Sequence, residues 1–150
     1  MSELLASDCN VKARTGFEPS TILELLDLCL TSTSFRFREA HYELTDGLPM
    51  GAPASPVLAN LFMTRFERAA LDSFSQALKV WLRFVDDVFA IVRRSVVHAL
   101  LQHLNRQHPA ICFTMELEVD GKLPFLDLSV TRHEGKLETD VYRKSTHTGR

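Results

Sequence analysis

Apolar and polar residues follow two different periods along this chain, and the two periods predict helices and strands in mixed order. A helical period predicts helices that begin at Pro19, at Pro56 after the cap Ser55, and after the cap Ser95. An alternating period predicts strands over residues 34–38, 41–44, 111–119, 123–131 and 137–142. Strands and helices that follow one another in this way predict an α+β fold, an antiparallel sheet with helices packed on one face.

Two of the predicted elements have distinctive ends. Ser55 is a favourable N-cap, and Pro56 then stands at the first helical position, where proline is tolerated. The broad apolar face of this helix, which includes Phe62 and Phe66, predicts that it is deeply packed. Further along, Asp120 and Gly121 form a dipeptide typical of a two-residue hairpin turn between the strands at 111–119 and 123–131.

The apolar run at residues 81–92 is interrupted by two adjacent carboxylates, Asp86 and Asp87. Strand residues on both sides predict a tight hairpin with the two aspartates at its tip. Carboxylates are costly to bury unless a partner compensates them, and oxygen ligands of this kind suit a divalent cation. From the residues alone two interpretations stay open: a metal site for phosphoryl transfer, or a solvent-exposed turn without a ligand.

Composition narrows the class of protein. The chain has 150 residues, 45% hydrophobic and 24% charged, with a formal net charge of −2. These values fit one globular domain and do not fit a uniformly basic nucleic-acid binder. The three cysteines are far apart and lack metal-ligand spacing, which favours free thiols in an intracellular protein. No apolar run has the length of a membrane span, and no signal peptide is visible.

The glycine- and proline-rich loop and helix at residues 47–62, followed by Phe84-Val85-Asp86-Asp87, resemble the palm of reverse transcriptases. The likeness is closest to Penelope-like retroelement polymerases, and the stretches 123–127 and 141–148 resemble that subgroup as well. The resemblance implies RNA-directed DNA synthesis by two-metal nucleotidyl transfer. It also implies an RNA template, a DNA primer and deoxynucleoside triphosphates as partners, and Mg2+, or Mn2+ in its place, as cofactor.

The resemblance further implies roles for individual residues. Asp86 and Asp87 are the expected catalytic and metal-binding pair. The residues expected to contact the nucleotide or the template are Met50, Gly51, Ser55, Pro56, Asn60 and Phe84. The residues expected to contact the nucleic-acid backbone are Arg143, Lys144 and Arg150.

The likeness covers only part of a polymerase. Residues 1–18 are poorly defined and 19–150 are the expected partial palm. In this family a further catalytic aspartate lies on an upstream strand, and Asp8 has no apolar strand around it, so we expect the palm to be incomplete at its N-terminus. Fingers, thumb and any endonuclease domain are expected to be supplied by other segments, and the isolated chain is expected to have little or no activity.

Two other classes of function remain alternatives to a catalytic domain. One is a non-catalytic nucleic-acid-binding remnant of a decayed retroelement, and the other is a structural fragment without a ligand. The resemblance implies action in the nucleus and none at a membrane, although no basic nuclear-import cluster is present.

Overall fold

The computed structural model describes residue 5 and residues 8–45 and 47–143 of the chain. These residues fall into two compact units, Met1–Met63 and Thr64–Arg150. Both helices and antiparallel strands are present, so the predicted α+β class is confirmed. No helix in the described part of the chain is long and apolar enough to cross a membrane.

The first unit contains two helices, one hairpin and the beginning of a third helix. Its elements are α1 (Val11–Thr15), α2 (Pro19–Thr31), β1 (Ser34–Phe37), β2 (Ala40–Glu43) and the start of α3 (Ser55–Asp72). The β1–β2 hairpin was predicted from its alternation, and Phe35 stacks on Tyr42 across it with ring centroids 5.4 Å apart. The α2 helix begins at Pro19 as predicted, because proline is compatible with the first helical turn.

The α3 helix begins one residue earlier than predicted, and Ser55 does not act as its N-cap. Ser55 is itself the first helical residue, and Pro56 is the second. The Ser55 hydroxyl is buried and donates to the Pro49 carbonyl oxygen at 2.7 Å. The prediction of Ser55 as N-cap is therefore wrong, because its hydroxyl closes the preceding loop six residues back.

The second unit contains the rest of α3, one further helix and five strands. Its elements are β3 (Val80–Phe84), β4 (Asp87–Ile91), a 3-10 turn (Arg94–Val96), α4 (Val97–Asn105), β5 (Lys122–Phe125), β6 (Leu128–His133) and β7 (Lys136–Val141). The described strands form three separate antiparallel sheets, β1–β2, β3–β4 and β5–β6–β7.

The core of the second unit lies between α3, α4 and an extended segment. Phe66 and Ala70 from α3 and Leu100 and Leu104 from α4 are buried, and Phe66 stacks on Phe113 at 5.8 Å between ring centroids. Leu100 and Leu104 are four residues apart on one face of α4, as the helical period predicts. The prediction that α3 is deeply packed holds at Phe66 and Ala70 but is wrong at Val57 and Phe62, which remain exposed.

The predicted strand at residues 111–119 joins no sheet over residues 111–118; a single bridge joins Val119 to Lys122. Burial alternates over its first residues as the sequence pattern predicted. The backbone of Phe113 is bonded by a side chain: its N–H donates to Asn105 Oδ1 at 2.6 Å, and its carbonyl accepts from Asn105 Nδ2 at 3.0 Å. Because the Asn105 amide satisfies both groups, Phe113 needs no partner strand.

The predicted strand at residues 123–131 is two strands. A turn at Leu126 and Asp127 divides it into β5 and β6, which pair through Phe125 and Leu128. The turn escaped prediction because the surrounding residues are apolar and the turn contains neither glycine nor asparagine. Asp120 and Gly121 do form a turn, but it leads from the single bridge into β5.

Candidate functional site

The β3–β4 hairpin places Asp86 and Asp87 at its tip, as the sequence predicted. Phe84 pairs with Asp87 at the end of the ladder, so Val85 and Asp86 are the two residues of the turn. Asp87 is the first residue of β4, and both aspartates are exposed. An apolar hairpin therefore carries two neighbouring carboxylates to solvent at one end.

Val85 adopts an unusual backbone conformation in this turn. Its φ is +57°, in the left-handed region, and its side chain lies at the surface with an exposed fraction of 69%. A β-branched residue is disfavoured there, at a cost of about 1–2 kcal/mol. Two-residue turns that require a positive φ at their first position favour glycine. The turn that presents Asp86 is therefore strained at the residue before it.

The two faces of the β3–β4 hairpin have different surroundings. Trp81 and Arg83 lie on the face that contacts α3, whereas Phe84 and Asp87 lie on the opposite face. Among the described residues, neither Asp86 nor Asp87 accepts a side-chain hydrogen bond or pairs with a cation. Both carboxylates are therefore available to a ligand from solvent.

A polar cluster that the sequence analysis did not anticipate lies beneath the tip. Glu67 on α3 accepts from Trp81 Nε1 and from Arg83 Nε, each at 2.9 Å. Arg83 also donates to the Val85 carbonyl oxygen at 3.1 Å and to Thr64 Oγ1 at 3.3 Å. The Arg83 and Glu67 side chains are only 10% and 13% exposed. Glu67 and Arg83 are 16 residues apart in sequence, so no local pattern signals this pair.

The loop predicted to contact the nucleotide lies in the first unit. Met50 is fully exposed, and Gly51 has φ +92°, which glycine adopts without steric cost. A Cβ at Gly51 would meet no atom within 4 Å, so the space beside this backbone is open. Backbone bonds from Ala52 to Pro49 and from Ser55 to Ala52 give the loop two consecutive tight turns.

The other residues predicted from the resemblance are placed as follows. Pro56 and Asn60 are exposed on α3, Phe84 is exposed at the end of β3, and Arg143 is exposed just beyond β7. Lys144 and Arg150 lie outside the described residues. The assignment of these residues to nucleotide, template or backbone contact stays a prediction.

The hairpin tip has chemistry that suits a hard divalent cation. Two carboxylates are the number that Mg2+ commonly takes from a protein, with water and substrate phosphate as the remaining ligands. In the described part of the chain, no group of three or more His, Cys, Asp or Glu side chains is arranged around a possible metal position. The tip on its own therefore offers a two-carboxylate site.

Comparison with known proteins identifies the family. The family model described as Reverse transcriptase (RNA-dependent DNA polymerase) matches residues 5–111, which is more than half of the chain. The match includes both the loop before α3 and the β3–β4 hairpin. No curated protein and no solved structure matches the chain. Because the family match spans the loop and the carboxylate tip together, the chain belongs to the reverse transcriptase (RNA-dependent DNA polymerase) family.

Proposed function

We propose that this chain forms part of the palm of a Penelope-like reverse transcriptase, which copies RNA into DNA when its palm is complete. The observation that carries the proposal is the exposed pair Asp86 and Asp87 at a hairpin tip, within the segment matched by the family. The Penelope-like assignment, and action in the nucleus with it, is supported by the stretches 123–127 and 141–148 of the sequence.

In the proposed reaction the primer 3′-hydroxyl attacks the α-phosphate of a deoxynucleoside triphosphate, a new phosphodiester bond forms, and pyrophosphate leaves. Asp86 and Asp87 would provide the carboxylate oxygens that hold divalent cations, which would supply charge stabilisation to the reacting phosphate. Phe84, exposed on the same hairpin face as Asp87, is the proposed neighbour of the primer end.

Substrate binding is assigned to the loop, to the start of α3 and to the basic C-terminal segment. Met50 and the open space beside Gly51 are proposed to line the nucleotide site. The exposed residues Pro56 and Asn60, with the buried Ser55 behind them, are proposed to shape the surface that faces the template. Arg143, with Lys144 and Arg150, is proposed to contact phosphates, which contributes affinity without reading sequence.

The isolated chain is proposed to have little or no polymerase activity. The support comes from the sequence, because Asp8 has no apolar strand around it that would present a further catalytic carboxylate. Primer extension with the full chain, an RNA template, a DNA primer and Mg2+ tests this point. Strong extension that Asp86→Ala abolishes would contradict the proposed inactivity while supporting Asp86 as a catalytic residue.

The metal site is tested without requiring turnover. Mn2+ is titrated into the full chain with and without an RNA–DNA primer–template duplex and a deoxynucleoside triphosphate. We expect binding that the duplex and nucleotide strengthen, that Asp86→Ala removes, and that the matched variant Asp127→Ala retains. Asp127 is the control because it occupies the same position in the two-residue turn of the β5–β6 hairpin.

The same titration separates the proposal from its alternatives. Salt-dependent duplex binding whose affinity neither Mn2+ nor Asp86→Ala changes would favour a non-catalytic nucleic-acid-binding remnant. Loss of duplex binding together with non-cooperative unfolding would favour a structural fragment. Either result would overturn the polymerase proposal for this chain.

A further inference from the structure

We propose that Arg83 is a positioning residue, which acts through the Val85 carbonyl to hold the turn that presents Asp86 and Asp87. This inference rests on the proposed role of the two aspartates as metal ligands. In this role Arg83 acts on the peptide that joins Val85 to Asp86.

The backbone of the hairpin tip is strained at Val85. Val85 has φ +57°, a conformation that non-glycine residues keep only where the surrounding structure determines it. The ladder ends at the pair Phe84 and Asp87, so the sheet itself does not bond the turn peptide beyond that pair. An additional contact is needed to favour one turn conformation over less strained ones.

Arg83 contacts the backbone of this turn directly. Its guanidinium donates to the Val85 carbonyl oxygen at 3.1 Å, two residues along the chain. A carbonyl held by a charged donor fixes the orientation of the peptide that leads into Asp86. The direction in which the Asp86 carboxylate leaves the hairpin therefore depends on where Arg83 is held.

The Arg83 side chain is itself held by residues of α3. Its Nε–H donates to Glu67 at 2.9 Å, and its terminal nitrogen donates to Thr64 at 3.3 Å, so two residues of α3 fix the guanidinium plane. Trp81 Nε1–H donates to the same Glu67 oxygen and fixes that carboxylate in turn. The planar fork of arginine can join a carboxylate and a carbonyl at once, whereas the single ammonium of lysine cannot do so in the same geometry.

The experiment compares Arg83→Lys with Arg132→Lys in the full chain. Arg132 is the matched control because it also pairs with a glutamate, Glu118, but lies on β6. NMR measures the carbonyl and Cα chemical shifts of Val85, and Mn2+ titration measures broadening of the Asp86 and Asp87 amide signals. Thermal unfolding records whether each variant is folded.

We expect Arg83→Lys to move the Val85 shifts and to raise the Mn2+ concentration for half-maximal broadening about tenfold, as loss of a supporting contact behind a metal ligand does. We expect Arg132→Lys to change neither. A merely stabilising role for Arg83 would lower the unfolding temperature without moving the Val85 shifts. Unchanged Val85 shifts in folded Arg83→Lys protein would overturn the inference.

Two further measurements cover the cases in which Arg83→Lys does not fold or Mn2+ does not bind. If Arg83→Lys does not fold, Thr64→Val is measured instead, because it removes one contact to the guanidinium from an exposed residue. A smaller Val85 shift change in the same direction then supports the inference, and no change overturns it. If Mn2+ fails to broaden Asp86 and Asp87 in the unaltered chain, the proposed metal site fails, while the Val85 shifts still decide the role of Arg83.

Discussion

The β3–β4 and β5–β6 hairpins turn in the same way but are held differently. Each turn follows a phenylalanine with an apolar residue at positive φ, +57° at Val85 and +55° at Leu126, and then an aspartate. The first turn is held by a guanidinium that reaches the Val85 carbonyl, whereas the second accepts a backbone bond from Tyr142 to the Asp127 carbonyl at 2.8 Å. The first turn is thus held by an arginine that is paired with Glu67, whereas the second is held by a main-chain hydrogen bond.

The two turns share a positive φ at their first residue but differ in the residue that follows the aspartate. Asp86 is followed by a second aspartate, whereas Asp127 is followed by Leu128. The hairpins also touch, since the Phe89 and Phe125 rings lie 5.5 Å apart between centroids. The shared turn is therefore a structural solution, and the second carboxylate together with the side-chain support distinguishes the candidate metal-binding tip.

The largest expected effect comes from breaking the ion pair behind the first tip. Arg83→Met leaves Glu67 as an uncompensated, largely buried charge, which costs about 3 kcal/mol of unfolding free energy. Urea denaturation measures this loss. The matched variant Arg132→Met removes an exposed partner of Glu118 and is expected to lower stability far less. Equal losses in the two variants would show that the buried and exposed pairs do not differ.

The next effect concerns metal affinity at the two tips. Asp86→Asn keeps the shape of the side chain but removes its charge, and we expect Mn2+ binding to weaken by about tenfold or more. Asp127→Asn is expected to leave it unchanged, because no second carboxylate follows in sequence. Isothermal titration calorimetry measures both. Equal weakening in both variants would remove the distinction between the tips.

Backbone strain predicts a smaller effect of opposite sign. Val85→Gly removes the steric cost of a β-branched residue at positive φ, although glycine loses more backbone entropy on folding. We expect a net stabilisation of about 1 kcal/mol. Leu126→Gly is expected to give no net gain, because Leu126 is less exposed than Val85 and loses more apolar contact. Denaturant midpoints compare the two. Destabilisation by Val85→Gly would mean that the turn is not strained.

The smallest effect is the pH dependence of the exposed pair beside the second hairpin. A hydrogen bond from Arg132 lowers the pKa of Glu118 below its ordinary value. Because the pKa is lower in the folded state, the contribution to stability is present above the ordinary pKa of Glu and disappears as pH falls through the lowered pKa. Unfolding midpoints from pH 7 to acid, compared with Glu118→Gln, measure it. Arg132→Gln should abolish the same pH dependence of the unfolding midpoint. If that dependence persists in Arg132→Gln, other titratable groups cause it.

The first tip was predictable from sequence, and the second was not. Asp86 and Asp87 break an apolar run with two polar residues, which makes a turn evident. Leu126 and Asp127 offer one polar residue among apolar ones, and only the pairing partners reveal that the chain turns there. The local pattern therefore predicted the turn at Asp86, where two polar residues interrupt the apolar run. It missed the turn at Leu126 and Asp127, which only the pairing of β5 with β6 reveals.

Tertiary contacts account for the other differences from the predicted fold. The apolar face of α3 was visible in the sequence, but the pattern does not specify what covers each residue, and Val57 and Phe62 remain exposed. The support of the candidate site by Glu67 and Arg83 joins residues 16 positions apart, beyond the reach of any helical or strand period. The interrupted apolar run revealed the carboxylates but gave no sign of what holds them.

One side-chain amide near the core has a chemical consequence. Asn105 bonds both the N–H and the carbonyl of Phe113, and therefore replaces a neighbouring strand for that residue. Spontaneous deamidation of Asn105 to aspartate would exchange its donor for a second acceptor and set it against the Phe113 carbonyl oxygen. Chemical ageing at this one residue would thus release the segment whose aromatic ring packs against Phe66 and Trp81.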